Sequence, residues 1–384
     1  MSLPVRSTSE YRVAVSGYYG CGNAGDEAVL AGIREAFARK AGDRVRLVVF
    51  SQDPAATLQM HGLPAVERMS LSALRSTLKQ SDLLLSGGGS LLQDTTSMRS
   101  LLYYLWVVRL AYAHRVPVMF YAQGLGPFRR PLSRALVRLV ANRADYITVR
   151  DEPSLRLLNA LGVRRPPIEQ TADPAFALSP AAPEAIEALL RAENLPLDEP
   201  MIGVALRPWG GSGESPLDAY AQLLRDLHRR TGQRIVLLPM QTPGDVVFAE
   251  TVVALTGDPA SFPVVRHVYS PAVLLGLVAR MQAVVAMRLH TLIFAARSAV
   301  PPFALSYDPK VENLMRGLDL ADSLEHWRGF EPAEVSERVA TLLAERPARV
   351  TALRAHTADL EGRALRNTDC ALSLLEARLP RHTF

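Results

Sequence analysis

An α/β chain of two doubly wound halves facing across a cleft is what this sequence predicts, and three observations predict it. Short apolar runs alternate with helix-length segments along the chain, the grammar of parallel strands covered on both faces. The alternation comes as two series, separated by a stretch rich in Ala, Pro and Glu at 177–200. Motifs of Gly, Arg and His fall at the carboxyl ends of the predicted strands, where open α/β sheets bind ligands. The 384 residues exceed what one core usually organises, so two domains of roughly 170–200 residues are expected.

The first series opens with the apolar run 13–16, a Gly-rich turn and a helical pattern over 27–39. Runs 46–50, 83–86, 118–121 and 146–150 read as buried strands, with helices expected at 71–80, 99–114 and 131–144. The second series places strands at 201–206, 234–239, 263–267, 283–286 and 302–305, and helices at 217–231, 246–255, 271–281 and 290–298. The expected domains are 1–178 and 179–365, followed by a C-terminal helix at 366–384 that packs back on the first.

Hydrophobic residues make up 48% and charged residues 21%, a globular composition that excludes a disordered or fibrous chain. A formal charge of +5 is a mild bias towards anionic partners, although a solvated basic face is the commoner reading. Cys21 and Cys370 are far apart and lack ligand spacing, which supports neither a disulfide framework nor a metal site and fits a reducing cytoplasm. Residues 1–12 lack an apolar signal core, and the longest apolar stretch, 272–287, is interrupted by Arg280 and Gln282. A cytoplasmic location is expected. The basic amphipathic segment 131–143 is a candidate for peripheral contact with an anionic membrane face.

Four constellations carry chemistry. In Met287-Arg288-Leu289-His290-Thr291, followed by Tyr307-Asp308-Pro309-Lys310, cations and a titratable ring interrupt apolar runs that normally exclude charge. His290 begins a predicted helix, where the neutral imidazole is favoured, and Lys310 reads as a point-charge phosphate binder or a solvated lysine. Residues 17–27 hold four glycines, Tyr18 and Tyr19, with Asn23 and Asp26 where a helix needs a cap; this is a ligand cradle or a tight capped turn. The spacing matches neither a dinucleotide fingerprint nor a P-loop. Ser86 to Asp94 adds Gly87, Gly88 and Gly89 with Gln93 and Asp94, a second cradle or a flexible turn, while the turn chemistry of Gln123-Gly124-Leu125-Gly126-Pro127 explains itself. Arg150-Asp151-Glu152 and Arg207-Pro208-Trp209 place an arginine after a strand, as an oxyanion fork or, for Arg150, a local salt bridge.

These motifs in series, 17–28, 87–97, 124–127, 149–154, 205–209, 239–245, 287–295 and 307–311, resemble the polysaccharide pyruvyl transferase family, in particular its secondary cell wall polymer branch. The resemblance implies a glycosyltransferase-B-like architecture of two Rossmann-like domains, with the acceptor on the first and phosphoenolpyruvate on the second. It implies transfer of pyruvate from phosphoenolpyruvate to N-acetylmannosamine of a lipid-linked precursor as a 4,6-ketal that later anchors S-layer proteins. His290 would be the acid/base, with Asp26 or Asp94 acting on acceptor hydroxyls. Arg288, Leu289, Lys310 and either Arg150 or Arg207 would bind the donor, and Tyr18, Tyr19, Asn23, Gly88, Gly89 and Gln93 the acceptor. No metal or cofactor is called for, since cations can neutralise the departing phosphate.

Two other functions fit parts of the pattern. A sugar-nucleotide glycosyltransferase would share the fold, and a non-catalytic polysaccharide-binding protein would share the basic surface. Nucleic acid is not an expected partner, since no aromatic-basic recognition stripe is present.

Overall fold

The computed structural model describes residues 10–95, 97–208 and 216–377; Thr96 and Trp209 of the quoted motifs lie outside them. The chain divides into two compact units. The first comprises Met1–Cys21, Val29–Leu178 and Leu360–Phe384; the second comprises Gly22–Ala28 and Ser179–Asp359.

The first unit is built on a seven-stranded sheet. Its strands are β1 (Tyr11–Tyr19), β2 (Val45–Ser51), β3 (Ala65–Glu67), β4 (Leu83–Leu92), β5 (Val118–Leu125), β6 (Tyr146–Val149) and β7 (Ile168–Gln170). They lie in the order β3-β2-β1-β4-β5-β6-β7, and every pairing is parallel. Val13 to Val15 and Leu83 to Leu85 are fully buried, because helices cover both faces of a parallel sheet and leave no solvent side. Hydrophobic clusters lie on both faces, one around Leu105, Phe120 and Val137, the other around Tyr19, Ile33 and Tyr121. The helix Arg346–Glu376 contributes Cys370, Ala371 and Leu375 to the second cluster, and Thr368 shares a 2.7 Å hydroxyl hydrogen bond with Tyr121.

The second unit carries five parallel strands, β8 (Met201–Ala205), β9 (Arg234–Leu237), β10 (Met281–Ala286), β11 (Pro302–Ser306) and β12 (Leu324–His326), in the order β12-β11-β10-β8-β9. Val284 to Met287 are wholly buried, which fixes the register that delivers Arg288 to the end of β10. Both sheets interleave with helices, as the α/β expectation requires.

Two readings change, and a third gains an element. The run 263–267 is no strand; it touches β9 only through an isolated bridge from Leu237 to Val264. The stretch 177–200, read from composition as the boundary between the two series, contains the helix Pro183–Ala192, with Pro183 in its first turn, where a missing N–H costs nothing. That helix buries Leu189 and Leu190, and Ile186 sits so close to Gly276 of the helix Pro271–Val278 that a β-carbon there would lie 2.3 Å from it. The triple glycine does not turn into a helix either. β4 runs through it to Leu92, with a register shift between Gly89 and Leu92.

Candidate functional site

In the second unit, β10 ends at Ala286 and the helix Leu289–Arg297 begins three residues later, with Arg288 as its extended N-cap residue. The Arg288 side chain makes no capping hydrogen bond there, and first-turn amides at a helix start favour negative charge. Arg288 is 9% exposed and directs one edge of its guanidinium at Asp245, with Nε 2.9 Å from Oδ2 and Nη2 in close contact with Oδ1. Asp245 is 2% exposed and also accepts from the backbone amides of Met240 and Gln241, both at 3.1 Å. A buried charge pair of this kind persists because every oxygen of the carboxylate is engaged.

The pair fixes the turn 240–242, and that turn in turn holds the Gly-rich segment 22–24. Ala24 N donates to Met240 O at 2.8 Å, Thr242 N donates to Gly22 O at 3.1 Å, and Asn23 forms an antiparallel bridge with Gln241. Asn23 caps the helix Ala24–Ala41, its Oδ1 accepting from Gly25 N at 2.9 Å, and Asp26 falls inside the first turn. His290 completes the arrangement. A β-carbon on Gly25 would lie 2.3 Å from His290 Nδ1, so the imidazole packs on the backbone of the 23–25 turn, and only glycine leaves room for it. Two motifs some 265 residues apart in sequence thus meet through Arg288, Asp245 and the 240–242 turn.

Other cations stand at neighbouring strand ends. Arg207, after β8, donates to Tyr307 Oη at 2.8 Å and lies 5.0 Å from that ring's centroid. Lys310 is in the first turn of the helix Pro309–Gly317, whose cap Asp308 accepts from Lys310 N at 3.0 Å and lies 3.3 Å from Lys310 Nζ. Leu289, the first residue of the helix Leu289–Arg297, has a buried side chain.

The carboxyl edge of the first unit is different. Gly87, Gly88 and Gly89 all have positive φ (146°, 74° and 105°), and a β-carbon on Gly88 would collide with Val29 Cγ1 at 2.0 Å. Tyr18 and Tyr19, read together from the sequence as acceptor contacts, part company. Tyr18 is 37% exposed, whereas Tyr19 is fully buried and its hydroxyl donates to Gly87 O at 2.9 Å, supporting the glycines from beneath. Gln93 is half-buried and accepts from Thr95 N at 2.8 Å. Asp94 is occupied structurally: Arg129 N, Arg130 N and Ser133 Oγ donate to it at 2.6, 2.9 and 2.6 Å, anchoring the start of the helix Pro131–Ala141. Burial works against ionisation of Asp94, but these donors outweigh it and hold the carboxyl below its ordinary value. Arg150, at the end of β6, is paired with Asp173 at 2.8 Å, approaches Asp151 at 3.5 Å and donates to Ser90 Oγ at 2.8 Å.

The sequence reading missed two residues. Asp245 belongs to a quoted motif, and the signal for it was the need of a buried Arg288 for a carboxylate. Arg68, immediately after β3, is 8% exposed and surrounded by tyrosines. Among the described residues, no group of three or more His, Cys, Asp or Glu is placed to hold a metal ion, and no helix is long and apolar enough to cross a membrane.

Two parallel sheets interleaved with helices are a fold of the glycosyltransferase-B type. The chain belongs to the polysaccharide pyruvyl transferase family, whose model matches residues 23–309. It is therefore a transferase acting on a polysaccharide acceptor. No curated protein matches the chain. Among solved structures it is similar to the UDP-GlcNAc 2-epimerase of Neisseria meningitidis bound to UDP-GlcNAc (14% identity, 96% of this chain and 100% of the other, TM-score 0.63). It is also similar to Alr3699/HepE of Anabaena in complex with UDP-glucose (15% identity, 95% and 99%, TM-score 0.61). At these identities the likeness is one of fold.

Proposed function

We propose that this pyruvyl transferase takes phosphoenolpyruvate as donor and forms a 4,6-ketal on N-acetylmannosamine of a lipid-linked secondary cell wall polymer precursor. The observation that carries the reading is the meeting of His290 with the Asn23–Asp26 turn, beside a buried arginine at a helix start. Ketal formation needs a proton delivered to the methylene carbon of the enol and an anion clamp beside the acid. His290 supplies the proton to C3, generating cationic character at C2. One acceptor hydroxyl adds there, its proton passing to Asp26. Phosphate then leaves C2, and the second hydroxyl adds in its place and closes the ketal. One hydroxyl proton in balance replaces that spent on C3, and the other departs with phosphate.

In this reading Lys310, Arg207 and the Nη1 edge of Arg288, which makes no protein hydrogen bond among the described residues, hold the donor's phosphate and carboxylate. The helix start adds backbone amides, and the reaction needs no metal or cofactor. Arg207 is preferred to Arg150, which already faces Asp173 and Asp151. Acceptor recognition is assigned to the first unit, with Tyr18 as its exposed ring.

The test is phosphate release from phosphoenolpyruvate on addition of an N-acetylmannosamine-containing acceptor, run beside a panel of sugar nucleotides. Release of nucleoside diphosphate in place of phosphate would make the protein a glycosyltransferase. Replacing His290 with Ala is expected to lower kcat by about 10²–10⁴-fold with folding intact; near-normal turnover removes it from the acid role.

The lipid-linked acceptor places the enzyme at the cytoplasmic membrane face. The helix Pro131–Ala141 exposes Leu132 and Leu139, 60% and 59%, among Arg129, Arg130, Arg134 and Arg138 and contains no acidic residue. Leucines in an arginine field suit the headgroup region of an anionic bilayer. Sedimentation with phosphatidylglycerol vesicles at low salt, lost on Leu132→Ser with Leu139→Ser, is the expected result; no sedimentation at low salt overturns it.

A further inference from the structure

Arg68 is a buried cation that the proposed chemistry leaves unused. It follows β3 on the carboxyl edge of the first sheet, the same edge that carries Tyr18 at the end of β1 and the glycines of β4. Its side chain is tied into that edge at several points. Nη2 donates to Tyr104 Oη at 3.3 Å, Nη1 lies 3.8 Å from Cys21 Sγ, and its backbone carbonyl accepts from Tyr103 Oη at 2.8 Å. The rings of Tyr103, Tyr104 and Tyr18 stand with centroids 4.5, 5.5 and 5.7 Å from the guanidinium carbon.

What it lacks is a countercharge. Among the described residues no carboxylate is paired with Arg68, and its Nε is buried with no hydrogen-bond partner. Two arginines at other strand ends differ in this respect, since Arg288 has Asp245 and Arg150 has Asp173. Aromatic faces attract a guanidinium but do not neutralise it, and a buried charge without a partner is a standing cost. A site that tolerates this cost at a ligand-binding edge is one whose missing anion arrives with the ligand.

The surrounding chemistry narrows that ligand. Arginine's planar fork matches phosphate or carboxylate, and Tyr18, 37% exposed, offers a ring face beside it, the kind of surface on which the apolar face of a pyranose packs. We propose that Arg68, Tyr18, Tyr103 and Tyr104 form a subsite for a saccharide unit that carries an oxyanion, so that the acceptor is recognised through an anionic sugar. This rests on the chain's acting on a polysaccharide and deepens the assignment of acceptor recognition to the first unit; it does not depend on the identity of the donor.

The experiment is direct binding to the full chain, by calorimetry without donor, of glucose 1-phosphate, glucuronate and glucose. At least one charged sugar is expected to bind about tenfold or more tighter than glucose, and the pair separates phosphate from carboxylate as the oxyanion. Arg68→Met is expected to reduce the charged sugars to the level of glucose while leaving Tm unchanged or raised, because a buried unpaired charge is removed. Equal binding of charged and neutral sugars to the wild type overturns the proposal. So does retention of the preference by Arg68→Met, or displacement of the charged sugar by phosphoenolpyruvate, which would make Arg68 a donor contact. If Arg68→Met does not fold, Tyr18→Ala on the exposed ring decides: weaker binding of the preferred sugar supports the subsite, and unchanged affinity overturns it. Phosphate release from phosphoenolpyruvate, measured separately, tests the donor alone, so the two readings fail independently.

Discussion

The carboxyl edges of the two sheets are built in opposite ways. In the first unit the edge is made of backbone, with three consecutive glycines at positive φ, propped from below by the Tyr19 hydroxyl and from the side by Val29. In the second the edge is made of side chains, with Arg288, Asp245, His290, Arg207 and Lys310 each at a strand end or in the helical turn that follows. Glycine appears at both edges with different duties. Gly88 exists so that a strand can bend past a helix, and Gly25 exists so that an imidazole can approach a turn. A backbone edge tolerates loss of a side chain but not gain of one. A side-chain edge depends on each partner it already has.

The largest effect should come from breaking the side-chain edge at its centre. Asp245→Ala leaves Arg288 buried without its carboxylate and releases the Met240 and Gln241 amides, and is expected to cost about 3–5 kcal/mol of stability in the second unit. Because the 240–242 turn holds the 22–24 segment, pyruvyl transfer should fall with it. Chemical denaturation together with turnover of whatever remains folded is the measurement. A loss below about 1 kcal/mol would mean that the pair is no more than a surface-like contact.

Next comes Gly25→Ala, which separates position from stability. The added carbon would meet the imidazole of His290, a side chain that can swing aside, so Tm should change little. If His290 is the acid as proposed, displacing it by about 1 Å is expected to lower kcat by about 10²-fold. The matched substitution in the first unit, Gly88→Ala, meets Val29 and a φ of +74°, and neither yields cheaply. It should cost about 2–3 kcal/mol by thermal or denaturant unfolding. If the two substitutions give the same profile, the distinction between a backbone edge and a side-chain edge fails.

Much of this was legible in the sequence, for identifiable reasons. Long apolar runs betrayed the central strands, and the alternation with helices gave the parallel class. β3, β7 and β12 were not legible, because three residues display no period. The helix Pro183–Ala192 was hidden because its first-turn proline reads as a breaker. At the site, Arg288 and His290 stood out as charge among apolar residues. Asp245 did not, since nothing local ties it to a partner 43 residues away. Tyr19 was misread because adjacent residues on a strand face opposite sides, sending Tyr18 outward and Tyr19 into the core. Arg68 gave no local signal, since the tyrosines that surround it lie 35 or more residues away in sequence.

The smallest effect concerns Asp94, on which the backbone edge and the chemistry make competing claims. Its carboxyl is held below the ordinary value of 3.8: burial opposes this, and the Ser133 hydroxyl and the Arg129 and Arg130 amides prevail. A depressed folded-state value means that the charged form stabilises the fold. That contribution is complete above the unfolded-state value and is lost as pH falls through the folded one, so it disappears in acid, below about pH 4. Asp94→Asn exchanges one accepting oxygen for a donor amide and should cost about 1–2 kcal/mol at neutral pH. The difference from wild type should narrow as pH drops below about 4. If Asp94 serves only to anchor the helix Pro131–Ala141, phosphate release by the folded Asn variant at neutral pH stays close to wild type. A fall of tenfold or more with the fold intact would return Asp94 to the chemistry, and the backbone edge would then contain a reacting side chain after all.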